Sequence, residues 1–237
     1  MKRSVKARKA ANKRGGHIHI QEIPLRYLPK KTNTKEYRDE VVRMMTQLKF
    51  ANERVQYSAQ ITSFNIRSIT HKNGFIPQKS EVFRQIQGFV YHYENYCFRA
   101  YAYREKILKF LNAGFELNLS NHDAKMKLVV SHPIIEKAQI APILERFDNK
   151  RSFGKVIGDR NELTHKLYYG KTFDHFLRPK IDVIPASPSQ FKQWCSSWRR
   201  EVTSRSKLTQ AVQEGVSDVD HQLATRYVAA KRKGMRF

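Results

Sequence analysis

The sequence predicts an all-α protein. In three separate segments, apolar residues recur at steps of three and four, the spacing that places side chains on one face of a helix. The longest of these segments spans residues 82–115, and a helix of that length needs other helices to pack against. Prolines and glycines separate the segments, as expected between helices. We therefore expect a helical bundle.

The first 34 residues predict a basic flexible arm followed by a strap. Residues 1–16 contain seven basic residues and no acidic residue, and they end in Gly15 and Gly16. The stretch "HIHIQEIPLRYLP" then predicts either a short strand or an extended strap, because Pro24 and Pro29 disfavour a helix. The histidine pair in "HIH" is too small a set to predict a metal site, and no other spacing of ligands suggests one.

Two long helices follow. From Lys35 a first helix is predicted to fade near Ser58, where β-branched residues begin. Its apolar face comprises Tyr37, Val41, Met44, Leu48 and Val55. A second helix begins after Ser80, a suitable N-cap, and fades near Gly114, Asn118 and Ser120. Its stripe comprises Val82, Ile86, Phe89, Val90, Tyr93, Cys97, Ala100, Tyr101, Leu108, Leu111 and Phe115.

Arg104 interrupts the stripe of the second helix, with Glu105 beside it. One interpretation is that both side chains extend along the edge of the bundle and keep their charges in water. The other is a buried ion pair that orients a neighbouring site. An unpaired buried charge would cost about 3–5 kcal/mol, so we expect Arg104 to have a partner.

The rest of the chain predicts shorter helices. A third helix starts at Ser131 and Pro133, with an apolar face that extends to Phe147. The stretch "DNKRSFGKVIGD" predicts a basic, glycine-bearing loop. A fourth helix then begins near Asp159, a suitable cap, and runs past Tyr169. A linker is defined by Pro179, Pro185 and Pro188. Two further basic helices, "SQFKQWCSSWRREVTSRSKLTQAV" and "DVDHQLATRYVAAKRK", complete an extension over 179–237.

Charge is the strongest signal in the composition. The chain has 45 Lys and Arg against 21 Asp and Glu, a formal net charge of +24. The two ends, 1–16 and 231–237, hold eleven of these cations, so +13 remains on the body. Nucleic acid is the expected partner, because neutralising phosphates releases counterions; an anionic membrane surface is the alternative. No apolar run is long enough for a membrane span, and we expect a cytoplasmic protein.

Two cysteines, Cys97 and Cys195, stand far apart and match no metal-ligand spacing. They favour a reducing compartment and a packing role over a disulfide framework. Trp194 and Trp198 lie four residues apart beside two arginines, and they predict either a surface for stacking bases or the apolar side of a docked helix.

The segment "GDRNELTH" contains the best candidate for chemistry. Arg160 is followed directly by Asn161, and His165 comes five residues after the arginine. Asn161 and His165 share a helix face, as do Arg160 and Thr164. Arg160 and His165, however, lie about 140° apart on an ideal helix. A second copy of the helix, facing the first across a dimer, could complete the site.

This segment resembles the Arg-X(4–6)-His motif of the HEPN superfamily, which often places a polar residue after the arginine. The earlier "YENYCFRAYAYREKILKFLN" is similar to the long second helix of the Cthe-2314-like HEPN group, so the resemblance covers roughly residues 35–178. It implies an antiparallel helical bundle that pairs as a homodimer. It also implies a metal-independent endoribonuclease without cofactors, of the kind found in toxin–antitoxin and phage-defence systems. Arg160 and His165 are then the catalytic pair, with Asn161 and Thr164 as supporting polar residues.

Such a pair suits RNA cleavage. A histidine side chain can accept the 2′-hydroxyl proton or protonate the leaving 5′-oxygen at neutral pH, and an arginine can bind the phosphate. Candidate contacts with nucleic acid are Arg151, Lys155, Lys166, Tyr168 and Tyr169; the alternative for the two tyrosines is packing in the core or at a dimer interface. Two alternatives remain: a non-catalytic nucleic-acid-binding subunit of a larger complex, and a helical protein-interaction module. In a purely structural interpretation, Arg160 pairs with Glu162 or another acid and His165 packs or caps.

Overall fold

The computed structural model describes residues 18–71, 79–120, 124–165 and 187–234. All regular structure in these ranges is helical, which confirms the predicted all-α class. Two 3-10 turns, Ile20–Glu22 and Leu25–Tyr27, come first. The helices that follow are α1 (Thr34–His71), α2 (Lys79–Phe115), α3 (Met126–Val130), α4 (Pro133–Lys137), α5 (Ala141–Asn149), α6 (Arg151–His165) and α7 (Pro188–Arg232).

The described residues form two compact units. The first unit contains the chain up to Val42, the segment Lys106–Arg146 and the chain from Ser217 onward; the second contains Arg43–Glu105 and Phe147–Val216. The long helices α1, α2 and α7 therefore each contribute one part to each unit. The Arg160 motif lies in the second unit, on α6.

Helix α1 continues for more than three turns beyond Ser58, where the sequence predicted that it would fade. Thr62 and Ile66 are both buried, and the Thr62 hydroxyl donates to the carbonyl oxygen of Ser58, one turn earlier, at 2.8 Å. Burial of these β-branched side chains outweighs their weak helix propensity. The helix α2 matches its prediction closely, and its end at Phe115 is set by Glu116, whose φ of 55° is left-handed.

The predicted third helix is divided into two. Gln139 has a φ of 57°, and the N–H group of Ile140 bonds to the carbonyl oxygen of Ile135 at 3.0 Å. This is the hydrogen bond of a helix C-terminus, so α4 stops there and α5 starts anew. The predicted apolar face is buried at Ala138, Ala141, Leu144 and Phe147. At the start of α4 the prediction is wrong by one position, because Ile135 is buried and the predicted Ile134 is only partly buried.

The predicted basic loop at 148–159 is wrong, because α6 already begins at Arg151. Phe153 and Val156 are fully buried on one face of this helix, and the Phe153 ring lies 4.0 Å from that of Phe147 between centroids. Asp159, predicted to cap the helix, instead lies in its third turn and is buried. Gly154 and Gly158 suggested a loop, but the burial of their apolar neighbours outweighs the helix penalty of about 1 kcal/mol per glycine.

The C-terminal extension forms one helix, α7, and not two. Its first residue is Pro188, which the sequence had placed in the linker. Buried residues recur along it at alternating steps of three and four, which is the repeat of a packed helix and not of a detached basic tail. They are Phe191, Cys195, Trp198, Val202, Arg205, Thr209, Val212, Val216, Val219, Leu223 and Tyr227. The burial of Trp198 supports the docked-helix interpretation of the tryptophan pair.

In the first unit, the predicted short strand or extended strap is wrong, because the segment forms two 3-10 turns, Ile20–Glu22 and Leu25–Tyr27. Ile20 and Ile23 are buried and anchor it. His19 bonds through Nδ1 to Asp220 at 2.8 Å, so this member of the "HIH" pair is already engaged. A close helix approach occurs at Gly114, where a Cβ atom would lie 2.7 Å from the Tyr227 ring. Only glycine fits there without displacement of the ring.

Candidate functional site

The motif helix α6 is held in the second unit by a buried polar cluster next to Arg160. The Asp159 carboxylate accepts hydrogen bonds from the Arg205 guanidinium of α7 and from the Tyr93 hydroxyl of α2. Arg205 also donates to the Tyr93 oxygen at 3.2 Å. Asp159 and Arg205 are both less than one tenth exposed, so the charges compensate each other away from water.

Burial also governs the titration of groups near this cluster. Desolvation raises the pKa of the Tyr93 hydroxyl well above its ordinary value, so this group stays a hydrogen-bond donor. The same effect raises the pKa of the Cys97 thiol to about 12 and that of Cys195 to about 12. Both cysteines are free and buried, as their predicted packing role requires.

Arg160 comes directly after the buried Asp159, and its guanidinium faces two aromatic rings of α2. Its guanidinium carbon lies 3.8 Å from the ring centroid of Tyr101 and 6.0 Å from that of Phe98. Its Nη1 donates to the Asn161 side-chain oxygen at 3.1 Å. The ring contact and the hydrogen bond together hold the guanidinium in one orientation. Arg160 is half-buried, whereas Asn161 is exposed.

A second ion pair fixes the start of the same helix. Arg104 donates through Nε to the Asp148 Oδ1 at 2.6 Å and through Nη2 to Oδ2 at 3.0 Å. The expected partner therefore exists, but it is Asp148, at the end of α5, and Glu105 is exposed. About a quarter of each side chain is exposed (20% for Arg104 and 28% for Asp148). The pair is therefore intermediate between the two interpretations, a charge kept in water at the edge of the bundle and a fully buried ion pair.

The other predicted site residues are placed as follows. Arg151 and Lys155 are exposed on α6, one turn apart. The backbone of Thr164 and His165 forms the end of α6, but their side chains lie outside the described residues, so the distance between Arg160 and the imidazole stays a prediction. Lys166, Tyr168 and Tyr169 also lie outside the described residues. Among the residues that the structure describes, no three His, Cys, Asp or Glu side chains form a group that could hold a metal ion.

Sequence reasoning missed an exposed aromatic surface in the second unit. We call it the aromatic patch; its residues on α1 and α2 are 43–69% exposed and are Phe50, Tyr57, Phe64, Tyr91 and Phe98. The signal was present as a seven-residue spacing in both helices, but it lies on the side opposite the buried stripe. The patch adjoins the motif, because Phe98 is also one of the rings that face Arg160.

Arg205 was also missed. It occupies a position in the buried stripe of α7, three residues after Val202 and four before Thr209. A charged residue within such a stripe predicts a buried partner, and this signal was available in the sequence. Its partner Asp159 was assigned to a helix cap because the preceding glycines suggested a loop.

Comparison with known proteins agrees with this architecture. The model of the Cthe-2314-like HEPN family matches residues 39–182, more than half of the chain, including Arg160 and His165. Searches of curated proteins and of solved structures gave no match. No helix in the described ranges is both long and apolar enough to cross a membrane. The HEPN assignment indicates a nucleotide-related function, such as RNA cleavage or nucleotide binding. The chain belongs to the Cthe-2314-like HEPN family.

Proposed function

We propose that the protein is a homodimeric, metal-independent endoribonuclease. Arg160 of one protomer and His165 of the other act on the same RNA phosphodiester. The observation that carries the proposal is the position of Arg160: its guanidinium rests on Tyr101 and bonds to Asn161, while the neighbouring Asp159 is locked in the core. A cation held in place before the reaction stabilises developing phosphate charge without reorganisation.

The proposed reaction uses the substrate's own nucleophile. His165 removes the proton of the ribose 2′-hydroxyl, and the resulting oxygen attacks the adjacent phosphorus. The bond from phosphorus to the 5′-oxygen then breaks. His165, now protonated, donates its proton to the leaving 5′-oxygen. Arg160 binds the non-bridging phosphate oxygens throughout. The products are a 2′,3′-cyclic phosphate and a 5′-hydroxyl, and DNA is bound but not cut.

The aromatic patch supports a second copy as the occupant of this face. Several large exposed aromatic side chains on neighbouring helices are typical of an interaction surface, and α1 and α2 are neighbours here, because Arg99 donates to the Gln47 side-chain oxygen at 2.6 Å. Phe98 belongs both to the patch and to the surroundings of Arg160, so a symmetric contact over the patch would bring two motif helices near each other. Such a contact would overcome the angle of about 140° that separates Arg160 from His165 on one helix.

Cleavage of labelled single-stranded RNA in EDTA tests the chemistry. We expect His165→Ala and Arg160→Ala to abolish cleavage while RNA binding persists, and Arg160→Lys to restore little, because lysine lacks the planar bidentate geometry. Arg151→Ala is the matched control, since it removes an exposed arginine from the same helix. If either motif variant cuts RNA at the parental rate, the assigned roles are wrong.

Mixing the two inactive variants tests the composite site. In a heterodimer of Arg160→Ala with His165→Ala, one of the two sites has lost both groups and the other retains both. After subunit exchange, we expect about a quarter of the parental activity, because half the dimers are mixed and each has one intact site. No recovery despite proven exchange would place both groups in one chain.

The dimer surface has its own test. Tyr57→Asp with Tyr91→Asp puts charges in the aromatic patch, and we expect monomers in analytical ultracentrifugation together with loss of cleavage. Leu25→Asp with Leu128→Asp is the control, because these side chains are also exposed but lie in the first unit. A double patch variant that is monomeric yet fully active would contradict the composite site.

The second candidate is a non-catalytic nucleic-acid-binding subunit. The net charge of +24 favours it, because this charge accounts for binding to phosphates without any catalytic step. It predicts salt-sensitive RNA binding with intact substrate in the EDTA assay.

The proposed nuclease instead acts in the cytoplasm as a toxin or defence effector that an antitoxin could restrain. Induced expression should then arrest growth, and His165→Ala should relieve the arrest.

A further inference from the structure

A basic groove runs along the outer face of α7 in the second unit, and neither Arg160 nor Asn161 lines it. It has a volume of about 670 Å³ and is lined by four cations, three hydroxyl side chains and one buried apolar residue. The four cations, which define the groove here, are Lys192, Arg199, Arg200 and Lys207. An adjoining depression of about 590 Å³ shares Lys192 and Arg200 and extends the groove toward Ser189.

The sequence of α7 produces this groove directly. On an ideal helix the cations fall within about 100° of one another, whereas Glu201 lies on the opposite side, where it pairs with Arg205. None of the described residues that line the groove is acidic. From Lys192 to Lys207 the helix advances about 22 Å, so the charges form a track and not a single point.

The short side chains between the cations shape the floor. The hydroxyls of Ser196 and Thr203 donate to carbonyl oxygens one turn earlier, at 2.9 and 2.8 Å, so their hydrogen atoms are already used. The long lysine and arginine side chains stand beside these short ones and form the walls of the basic groove. Affinity for an anionic ligand there comes from the charges and not from the hydroxyls of Ser196 and Thr203. Ile66 of α1 lies at the floor and is buried.

The composition of the groove identifies its ligand. We propose that the basic groove binds the sugar-phosphate backbone of a single-stranded segment of RNA. A linear track of cations matches a chain of phosphates, whereas a flat bilayer could not enter a channel. Of the large aromatic residues in this part of α7, Phe191 and Trp198 are buried, and the partly exposed Trp194 does not line the groove. No aromatic ring in the groove is therefore offered to a base, and binding is independent of sequence. The identity of the nucleic acid as RNA rests on the proposed function.

The test compares two variants of equal net charge. The groove variant carries Lys192→Gln, Arg199→Gln, Arg200→Gln and Lys207→Gln. The control variant replaces four exposed cations of the first unit by glutamine and has the same formal charge of +20, since each variant removes four of the +24 charges. Its positions are Lys125, Lys127, Lys137 and Arg146. Circular dichroism and thermal melting establish that both fold like the parent.

Affinity for single-stranded RNA and DNA of one sequence is measured from 0.1 to 1 M salt. Each neutralised phosphate contributes about −0.7 to the slope of log affinity against log salt for single strands. Loss of four contacts should reduce the slope by about 2.8, which corresponds to roughly 600-fold weaker binding at 0.1 M if affinities converge at 1 M. The control variant should keep the parental slope, and RNA and DNA should lose equally.

Equal losses in both variants would assign binding to net charge and overturn the groove, as would no loss in the groove variant. Vesicles of phosphatidylserine serve as a competing polyanion. If the groove cations govern vesicle binding and leave RNA binding unchanged, the proposal also fails. If the parent binds RNA through the groove but never cuts it, the groove stands and the nuclease proposal fails. If the parent binds no RNA, both fail.

Discussion

The cluster of Asp159, Arg205 and Tyr93 gives the most demanding test of how the motif is positioned. Arg205→Met leaves a carboxylate that is 8% exposed without its cation. Asp159→Asn leaves a guanidinium that is 9% exposed with only the more distant Glu201 carboxylate, 3.9 Å from its Nε, as a counter-charge. Breaking such a buried pair costs about 3–5 kcal/mol, because the remaining charge is uncompensated. The double variant has no uncompensated charge, so its loss should be smaller than the sum of the single losses by several kcal/mol.

The free energy of unfolding, measured with urea, gives the coupling energy of this double-mutant cycle. A parallel cycle with Arg104→Met and Asp148→Asn is the control, because that pair is 20% and 28% exposed and its coupling should be only about 1 kcal/mol. If Arg205→Met proves too unstable, Tyr93→Phe removes one hydrogen bond to the carboxylate and should cost about 1.5–3 kcal/mol. Additive losses within about 0.5 kcal/mol in the first cycle would refute the argument.

Two further predictions concern the first unit. Gly114→Ala should lower the free energy of unfolding by about 1–3 kcal/mol, because the added Cβ would meet the Tyr227 ring. Gly88→Ala is the control: no atom lies within 4 Å of the added Cβ, so this variant should raise the free energy of unfolding by about 0.5–1 kcal/mol. Equal effects of the two variants in urea melts would contradict the close approach at Gly114. Burial raises the pKa of Asp220 above its ordinary 3.8, so the native state binds this proton more tightly than the unfolded chain and the associated stability is lost as pH rises above about 4. The stability of the parent relative to Asp220→Asn should therefore fall with rising pH over this range, and a difference that does not change with pH would exclude the buried titration.

Periodicity predicted the helices well where one face is buried along its whole length. The stripe on α2 is almost entirely buried, and of its predicted members only Tyr101 is partly exposed. Prediction failed where local propensity and burial disagree. Gly154 and Gly158 suggested a loop, but Phe153 and Val156 are fully buried and keep the segment helical. The left-handed backbone at Gln139 gave no sequence signal, since non-glycine residues adopt it only in particular surroundings.

The candidate site was predictable as a motif but not as a structure. The order Arg160, Asn161 and His165 is visible in the sequence, and the family match includes it. What holds the arginine is not visible there, because Tyr101 lies 59 positions earlier and Arg205 lies 45 positions later in the chain. Contacts at such separations depend on how helices pack. Glu105 was considered for Arg104 because it is adjacent in sequence, whereas packing brings Asp148 to it.

Helix α7 connects the two proposals through its opposite faces. Its inner face carries Arg205, which binds Asp159 next to Arg160, the proposed catalytic arginine, and its outer face carries the basic groove. A small displacement of a catalytic group can greatly reduce the rate of the chemical step, whereas a phosphate contact remote from the cleaved bond is the same in the ground state and the transition state. Loss of Arg205 should therefore appear in kcat, and loss of the groove cations should appear in KM. If both sets of substitutions change only KM, then Arg205 contributes to binding and does not position Arg160.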